Sequence, residues 1–214
     1  MYRIATQQDI PGIVRLWQQA FGETPVLPEA PCFVAEQDGQ VVGMLHALPQ
    51  IFLSGKAYKA AYLYAIATEK AYRGRGICRS LMAYAEQTLD VDCCILVPAR
   101  ESLFRFYEAL GYETAFYRHK TSFPGGEEIS REDYLLLREQ LLRHTPHMVY
   151  EDLHYAQKIY GLKFYRTKSG IAAASEEFTA EVLPRDLGGA PCGMIKWLHK
   201  GETFQNGYLG FTLE

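Results

Sequence analysis

No apolar run in the sequence approaches the roughly 18 residues that a membrane-spanning helix needs. Met1 through Ala5 also lack the charged, then apolar, then small-residue order of a secretory leader, so a cytoplasmic protein with no membrane partner is expected. An excess of basic charge is missing too: 22 Lys and Arg stand against 25 Asp and Glu, the net charge is −3, and the basic residues are scattered. A nucleic-acid surface needs clustered cations, so no nucleic-acid partner is expected. The five cysteines (Cys32, Cys78, Cys93, Cys94 and Cys192) show no Cys-x-x-Cys spacing, and the six histidines show no His-x-x-x-His pair beside an acidic ligand. No metal is therefore expected, and the cysteines read as reduced core residues. Internal repeats and low-complexity tracts are absent as well.

What the chain does have is apolar content of 48%, enough for a sizeable core. Its 214 residues suit a main domain with a smaller partner better than two full domains. Tyr2 to Ala5 reads as a strand. Thr6 and Asp9 read as a helix start, and Ile10, Ile13, Val14, Trp17, Ala20 and Phe21 recur at helical spacing. Prolines break the stretch from Gly22 to Pro31 into a loop. Cys32 to Glu36 and Val41 to Leu48 predict a hairpin turning at Asp38-Gly39, and Ile51 to Leu53 with Ala57 to Thr68 predict a second hairpin around Ser54-Gly55. A helix with Ile77, Leu81, Tyr84, Ala85, Thr88 and Leu89 on its buried stripe follows, then a buried strand from Cys93 to Val97. The next helix, Leu103 to Leu110, is capped by Ser102 and stopped by Gly111, and Tyr112 to His119 returns as a strand.

Phe123-Pro124-Gly125-Gly126 is the linker candidate, which divides the chain into residues 1–123 and 127–214. Beyond it, Ser130 and Asp133 start a helix carrying Tyr134, Leu137, Leu141 and Leu142, and Asp152 to Ile159 reads as another. Leu162 to Thr167 and Ile171 to Ala174 form a hairpin, and Met194 to Leu198 and Tyr208 to Leu213 are further strands.

The stretch from Tyr62 to Cys78 carries the chemistry, because an apolar strand runs through a basic, glycine-bearing turn into a helix. Gly74 and Gly76 can take angles closed to other residues, and the first helical amides are unpaired and favour an anion. Arg73 and Arg75 add fixed positive charge suited to a pyrophosphate. Neither Gly-x-x-x-x-Gly-Lys-Ser/Thr nor a third glycine completing Gly-x-Gly-x-x-Gly is present. The alternative is a plain glycine turn with solvated arginines.

Counted from Arg73, the spacing Arg-x-x-Gly-x-Cys resembles the Arg/Gln-x-x-Gly-x-Gly/Ala signature of the GCN5-related N-acetyltransferases (GNAT), with Cys78 replacing the final small residue. A second block, Leu96 to Ala99 followed by Leu103 to Tyr112 with Phe106-Tyr107 and Gly111-Tyr112, resembles the family's other signature. The resemblance covers Met1 to about Phe123. It implies an α/β (α+β) fold with a mixed, splayed central sheet flanked by helices, and acetyl-CoA as co-substrate. The pantetheine arm would pair with Ile66, Ala67 and Thr68, and the pyrophosphate would sit on Arg73, Gly74, Arg75, Gly76, Ile77 and Cys78. Tyr107 is the catalytic candidate, protonating the departing thiolate.

The general base is not legible, and Glu36, His46, Glu69 or a water chain could serve. Pro191 to Leu198 and Tyr208 to Phe211 resemble a degenerate GNAT-like half-domain without its own cofactor. The resemblance implies an N-acetyltransferase acting by direct attack in a ternary complex. The tyrosine-rich residues after Phe123 are available to wall the acceptor side, so a small-molecule amine in a pocket lined partly by them is expected. A fragment ending at Pro124 is expected to keep acetyl-CoA binding. A non-catalytic acyl-CoA sensor and a protein lysine or N-terminal acetyltransferase remain alternatives, as do monomer and homodimer.

Overall fold

The computed structural model describes residues 1–150 and 160–211. The helix expected over Asp152 to Ile159 and the last residues of the strand expected over Tyr208 to Leu213 lie outside them. The chain opens with β1 (Tyr2–Ile4) and a turn of 3-10 helix, where the Asp9 carboxylate accepts from the Thr6 amide at 2.7 Å. Asp9 also pairs with Arg3, so this helix start is bound to β1. Helix α1 (Ile10–Phe21) buries Ile13, Leu16 and Trp17 and ends at Gly22, whose φ of 79° is left-handed.

Strand β2 (Cys32–Gln37) turns at Asp38 and Gly39, with φ 50° and 74°, into β3 (Gln40–Ser54). Positive φ at both turn residues is the hairpin geometry that Asp-Gly favours. The expected second hairpin is different in one respect: β3 is one strand of 15 residues that runs through Pro49 before returning as β4 (Lys56–Thr68). Proline lacks an amide hydrogen, but β2 pairs with β3 only up to His46, and β8 (His147–Val149) only from Ile51. Pro49 falls in the gap, where no donor is needed.

After β4 come α2 (Ile77–Thr88), β5 (Cys93–Leu96), α3 (Ser102–Glu108) and β6 (Glu113–Arg118). Ser102 is not the cap that the sequence suggests: it is the first helical residue, and Glu101 before it makes no side-chain cap. Gly111 is left-handed at 88° and ends the helix as expected.

The second half begins with β7 (Glu127–Ile129) and α4 (Arg131–Leu142), capped by Ser130 accepting from the Asp133 amide at 3.0 Å. β9 (Lys163–Thr167), β10 (Gly170–Ala174) and β11 (Thr179–Leu183) follow and form a four-stranded sheet in the order β11-β10-β9-β7. Strands β7, β8 and β11 are too short or too polar to stand out in the sequence. β12 (Ala190–Trp197) does not join this small sheet. It inserts between β5 and β6, so the large sheet reads β1-β2-β3-β4-β5-β12-β6, with β8 on β3. A cut at Pro124 would therefore withdraw an interior strand from the first sheet, against the expectation that such a fragment keeps its site.

Helices α2 and α3 cover one face of the large sheet, where Met194 of β12 packs with Ile77 and Leu81. On the other face α1 covers Val34 and Met44, and the second half covers Phe52, Tyr62 and Ile195. Two ion pairs add to the attachment. Lys196 donates to Glu86 of α2 at 2.6 Å, and Arg118 of β6 meets the buried Asp186 at 3.1 Å.

The stripe expected on α4 omitted its central residue. Arg138 is fully buried, with Nε 3.1 Å from Glu181 and Nη1 donating to the Met148 carbonyl at 2.9 Å. Among the described residues no helix is long and apolar enough to cross a membrane, and no group of three or more His, Cys, Asp and Glu could hold a metal ion.

Candidate functional site

The site starts from an irregularity in β4. Met44 pairs with Ala67 and His46 with Tyr64, so Ala65 and Ile66 together stand opposite Leu45. Ala65 takes a φ of 51°, and a bulge of this kind bends the strand and increases its twist. On its other edge β4 pairs with β5 only from Ala60 to Tyr62. Past that point the strands part, and among the described residues no strand lies beside Leu63 to Thr68 on that edge. This is the splay the sequence reading anticipated, with Ile66, Ala67 and Thr68 at its open end.

From Thr68 the chain passes through one 3-10 turn into Arg73–Gly76 and α2. Gly74 and Gly76 have φ of 76° and 77°, and a Cβ on either would meet nothing within 4 Å. The backbone angle requires glycine, and the space before it is open. The first bond of α2 joins the Ser80 amide to the Gly76 carbonyl at 3.0 Å, so the amides of Ile77, Cys78 and Arg79 precede the helical ladder. Arg73 is braced by donating from Nε to the Thr68 carbonyl at 3.0 Å. Gly43 of β3 lies under this helix start; a Cβ there would come within 3.2 Å of Ile77.

A cavity of about 500 Å³ is lined by Ile66, Ala67, Thr68, Arg73, Gly74, Gly76, Ile77 and Cys78 on one side and by Arg100, Leu103, Phe106 and Tyr107 on the other. Arg75, the remaining binding candidate, is not among its lining residues; its guanidinium lies 5.0 Å from the centre of the Tyr72 ring. A second cavity of about 470 Å³ lies across the splay, between α1 and the ends of β4 and β5. Ala20, Phe21, Ile66, Leu103 and Tyr107 line both, so the two spaces meet at Ile66 and Tyr107. Among the described residues nothing after Tyr107 lines the second cavity, so the expected wall from the second half is not seen there. That half instead packs behind Tyr62.

Tyr107 is buried, with its ring edge-on to Phe106 and Tyr112 at 5.1 and 6.0 Å. Burial, and secondarily the neighbouring Cys78, push its hydroxyl above the usual phenol range, which keeps it protonated. Burial also pushes the Cys78 thiol up to about 11, so it is not a thiolate nucleophile at neutral pH.

The three base candidates lie elsewhere. Glu36 is paired with Arg3, and Glu69 with Arg15 at 3.0 Å. His46 is buried edge-on to Trp17 at 5.8 Å, with neither ring nitrogen hydrogen-bonded. Desolvation lowers its pKa to about 4. None lines either of the two joined cavities.

A family profile described as an acetyltransferase (GNAT) domain matches residues 1–115. The chain belongs to the GNAT acetyltransferase family. No curated protein sequence matches it. Among solved structures it is similar to a GCN5-related N-acetyltransferase from Kribbella flavida, at 14% identity and a TM-score of 0.64, over 92% of this chain and 72% of that one. It is also similar to a GCN5-related N-acetyltransferase from Anabaena variabilis, at 19% identity and a TM-score of 0.59, over 84% of this chain. The chain spans 56% of the length of that second relative. At these identities the likeness concerns the fold.

This GNAT chain lines the first cavity with hydrogen-bonding groups. The Thr68 hydroxyl is buried without a hydrogen-bond partner at the cavity floor, and the open edge of β4 offers amide partners. The glycine turn and helix start offer amides to phosphate, with Arg73 beside them.

Proposed function

We propose that this chain is an N-acetyltransferase that moves the acetyl group of acetyl-CoA to a small-molecule amine in a ternary complex. The observation that carries the reading is the meeting of two cavities at Ile66 and Tyr107, one bordered by the glycine turn and the start of α2 and the other by aromatic side chains. Ile66, Ala67 and Thr68 hold the pantetheine amides. Arg73, Gly74, Gly76, Ile77 and Cys78 hold the pyrophosphate, and Arg75 stays at its margin. The thioester supplies an activated acyl group. An N–H of the β4 edge, aimed at the thioester oxygen, stabilises the negative charge that grows there.

The amine loses its proton, its nitrogen bonds to the acetyl carbon, and the carbon–sulfur bond breaks. Tyr107 faces the leaving sulfur. A phenol at its reference pKa of about 10 already gives up a proton to a thiolate of about 8.5 at a cost of about 2 kcal/mol. Burial raises that cost, so Tyr107 stays protonated and donates a hydrogen bond to the sulfur as charge develops; the proton shed by the attacking nitrogen passes through water and ends on the CoA sulfur.

Residues 1–123 form the acetyl-CoA-binding part and residues 127–214 a smaller unit, fused to it through β12. Release of CoA thiol, followed across a panel of amines, tests the activity. Acetyl-CoA binding by calorimetry with no thiol released from any amine would favour the sensor alternative.

A further inference from the structure

The second cavity has a composition that narrows the acetyltransferase reading. Its wall on the α1 side is aromatic and continuous: Phe21 meets Trp17 at 5.3 Å, Trp17 meets Tyr64 at 5.6 Å, and Tyr64 stacks on Tyr62 at 6.4 Å. Tyr62, Tyr64 and Tyr107 bring hydroxyls to the cavity, and the other lining residues are apolar apart from Glu23. Glu23 is the only charged side chain among the described residues lining this cavity. Its position follows from local structure. Gly22 ends α1 in a left-handed conformation, and the next residue but one, Thr24, accepts a hydrogen bond from Gln18 of α1 at 3.2 Å. Glu23 thus stands just past the helix end, between Gly22 and Thr24.

We infer that Glu23 and this aromatic wall select the acceptor: a singly charged amine carrying a flat or branched apolar body, of the arylalkylamine type. This inference rests on the acetyltransferase reading and narrows its substrate class. A single carboxylate can pair with one ammonium group, and ring faces attract the same charge while burying the hydrocarbon. A polyamine or an amino sugar with several ammonium groups would leave all but one of them without a countercharge among the described lining residues, which disfavours binding. Because Glu23 is exposed, water reaches the ammonium group beside it and carries its proton away, leaving the neutral amine to attack.

The test uses the full chain with Trp197→Phe, so that Trp17 reports alone from the cavity wall. Binding of 2-phenylethylamine, spermidine and kanamycin is titrated by Trp17 fluorescence in the presence of CoA. 2-Phenylethanol serves as the neutral control, and acetyl-CoA affinity is measured separately by calorimetry. The expected result is tightest binding of 2-phenylethylamine. Glu23→Gln should weaken it roughly 10- to 100-fold, as expected for a lost charged hydrogen bond, while leaving 2-phenylethanol and acetyl-CoA unchanged. Glu23→Asp should recover part of the loss.

Tighter binding of spermidine or kanamycin, no binding of 2-phenylethylamine, or equal binding by Glu23→Gln would each overturn the inference while leaving the acetyltransferase reading intact. Loss of that reading would instead appear as absent acetyl-CoA binding in the wild-type chain.

Discussion

Ile195→Ala should destabilise the whole molecule, including the acetyl-CoA site that lies far from it in sequence. Ile195 and Met194 are both fully buried, and as neighbours on β12 they point to opposite faces of the large sheet. Met194 packs with Ile77 and Leu81 under the helix that begins at the glycine turn, and Ile195 packs with Phe52 and Tyr134 between the two halves. Truncating a buried isoleucine to alanine costs about 2–5 kcal/mol, a large share of the roughly 5–15 kcal/mol that holds a typical domain folded. With a urea dependence of about 2 kcal/mol per molar, the unfolding midpoint should fall by about 1–2.5 M.

The two tryptophans allow the two parts to be followed separately, since Trp17 lies in α1 and Trp197 in β12. Single-tryptophan variants carrying Ile195→Ala are unfolded in urea and monitored by fluorescence and far-ultraviolet circular dichroism. Coincident transitions, all shifted together, are expected of one cooperative unit. The reasoning is refuted if only the Trp197 transition moves while that of Trp17, and acetyl-CoA affinity, stay as in the parent. By the same argument a fragment ending at Pro124 should fail to bind acetyl-CoA, because β5 and β6 lose the strand between them.

Gly76→Asp should remain folded, since a Cβ there meets nothing and the left-handed angle costs an aspartate only about 1–2 kcal/mol, yet it should weaken acetyl-CoA at least tenfold by calorimetry because a carboxylate then faces the pyrophosphate; unchanged affinity would remove the turn from the site. Tyr107→Phe should lower kcat roughly 10- to 1000-fold with acetyl-CoA affinity nearly unchanged, and a wild-type rate would return Tyr107 to a packing role. His46 has its pKa lowered from 6.5 to about 4 by burial, so the neutral ring is favoured in the folded chain. The stability tied to it is fully present above pH 6.5 and is lost as pH falls through 4, about 2 kcal/mol of it between pH 7.5 and pH 5. Urea midpoints at those two pH values should show this loss in the parent and a smaller one in His46→Phe; equal losses would assign the acid sensitivity to other groups.

The elements carried by local signals were legible in the sequence. Thr6 with Asp9, Asp38 with Gly39, Ser130 with Asp133, and Gly74 with Gly76 each fix a turn or a helix end through bonds and angles that span only a few residues. The glycine turn before α2 belongs to this class, because a helix start and two glycines define it whatever packs around them. The continuity of β3 through Pro49 was not legible, since a proline ends a strand unless no partner needs its amide, and the gap between β2 and β8 is a property of three strands together. Nor was Glu23 as a cavity residue, for a glutamate in a proline-broken loop looks like any solvated charge until Trp17, Phe21 and Tyr64 are seen beside it.

The sequence also marked Met194 to Leu198 as a strand from its apolar character. Only the tertiary structure decided where it goes. An apolar strand buried on both faces can enter any sheet with a free edge, and β5 and β6, separated in the chain by α3, left such edges facing each other. Pairing with both satisfies the hydrogen bonds of all three strands, and that long-range closure joins the second half of the chain to the sheet that carries the site.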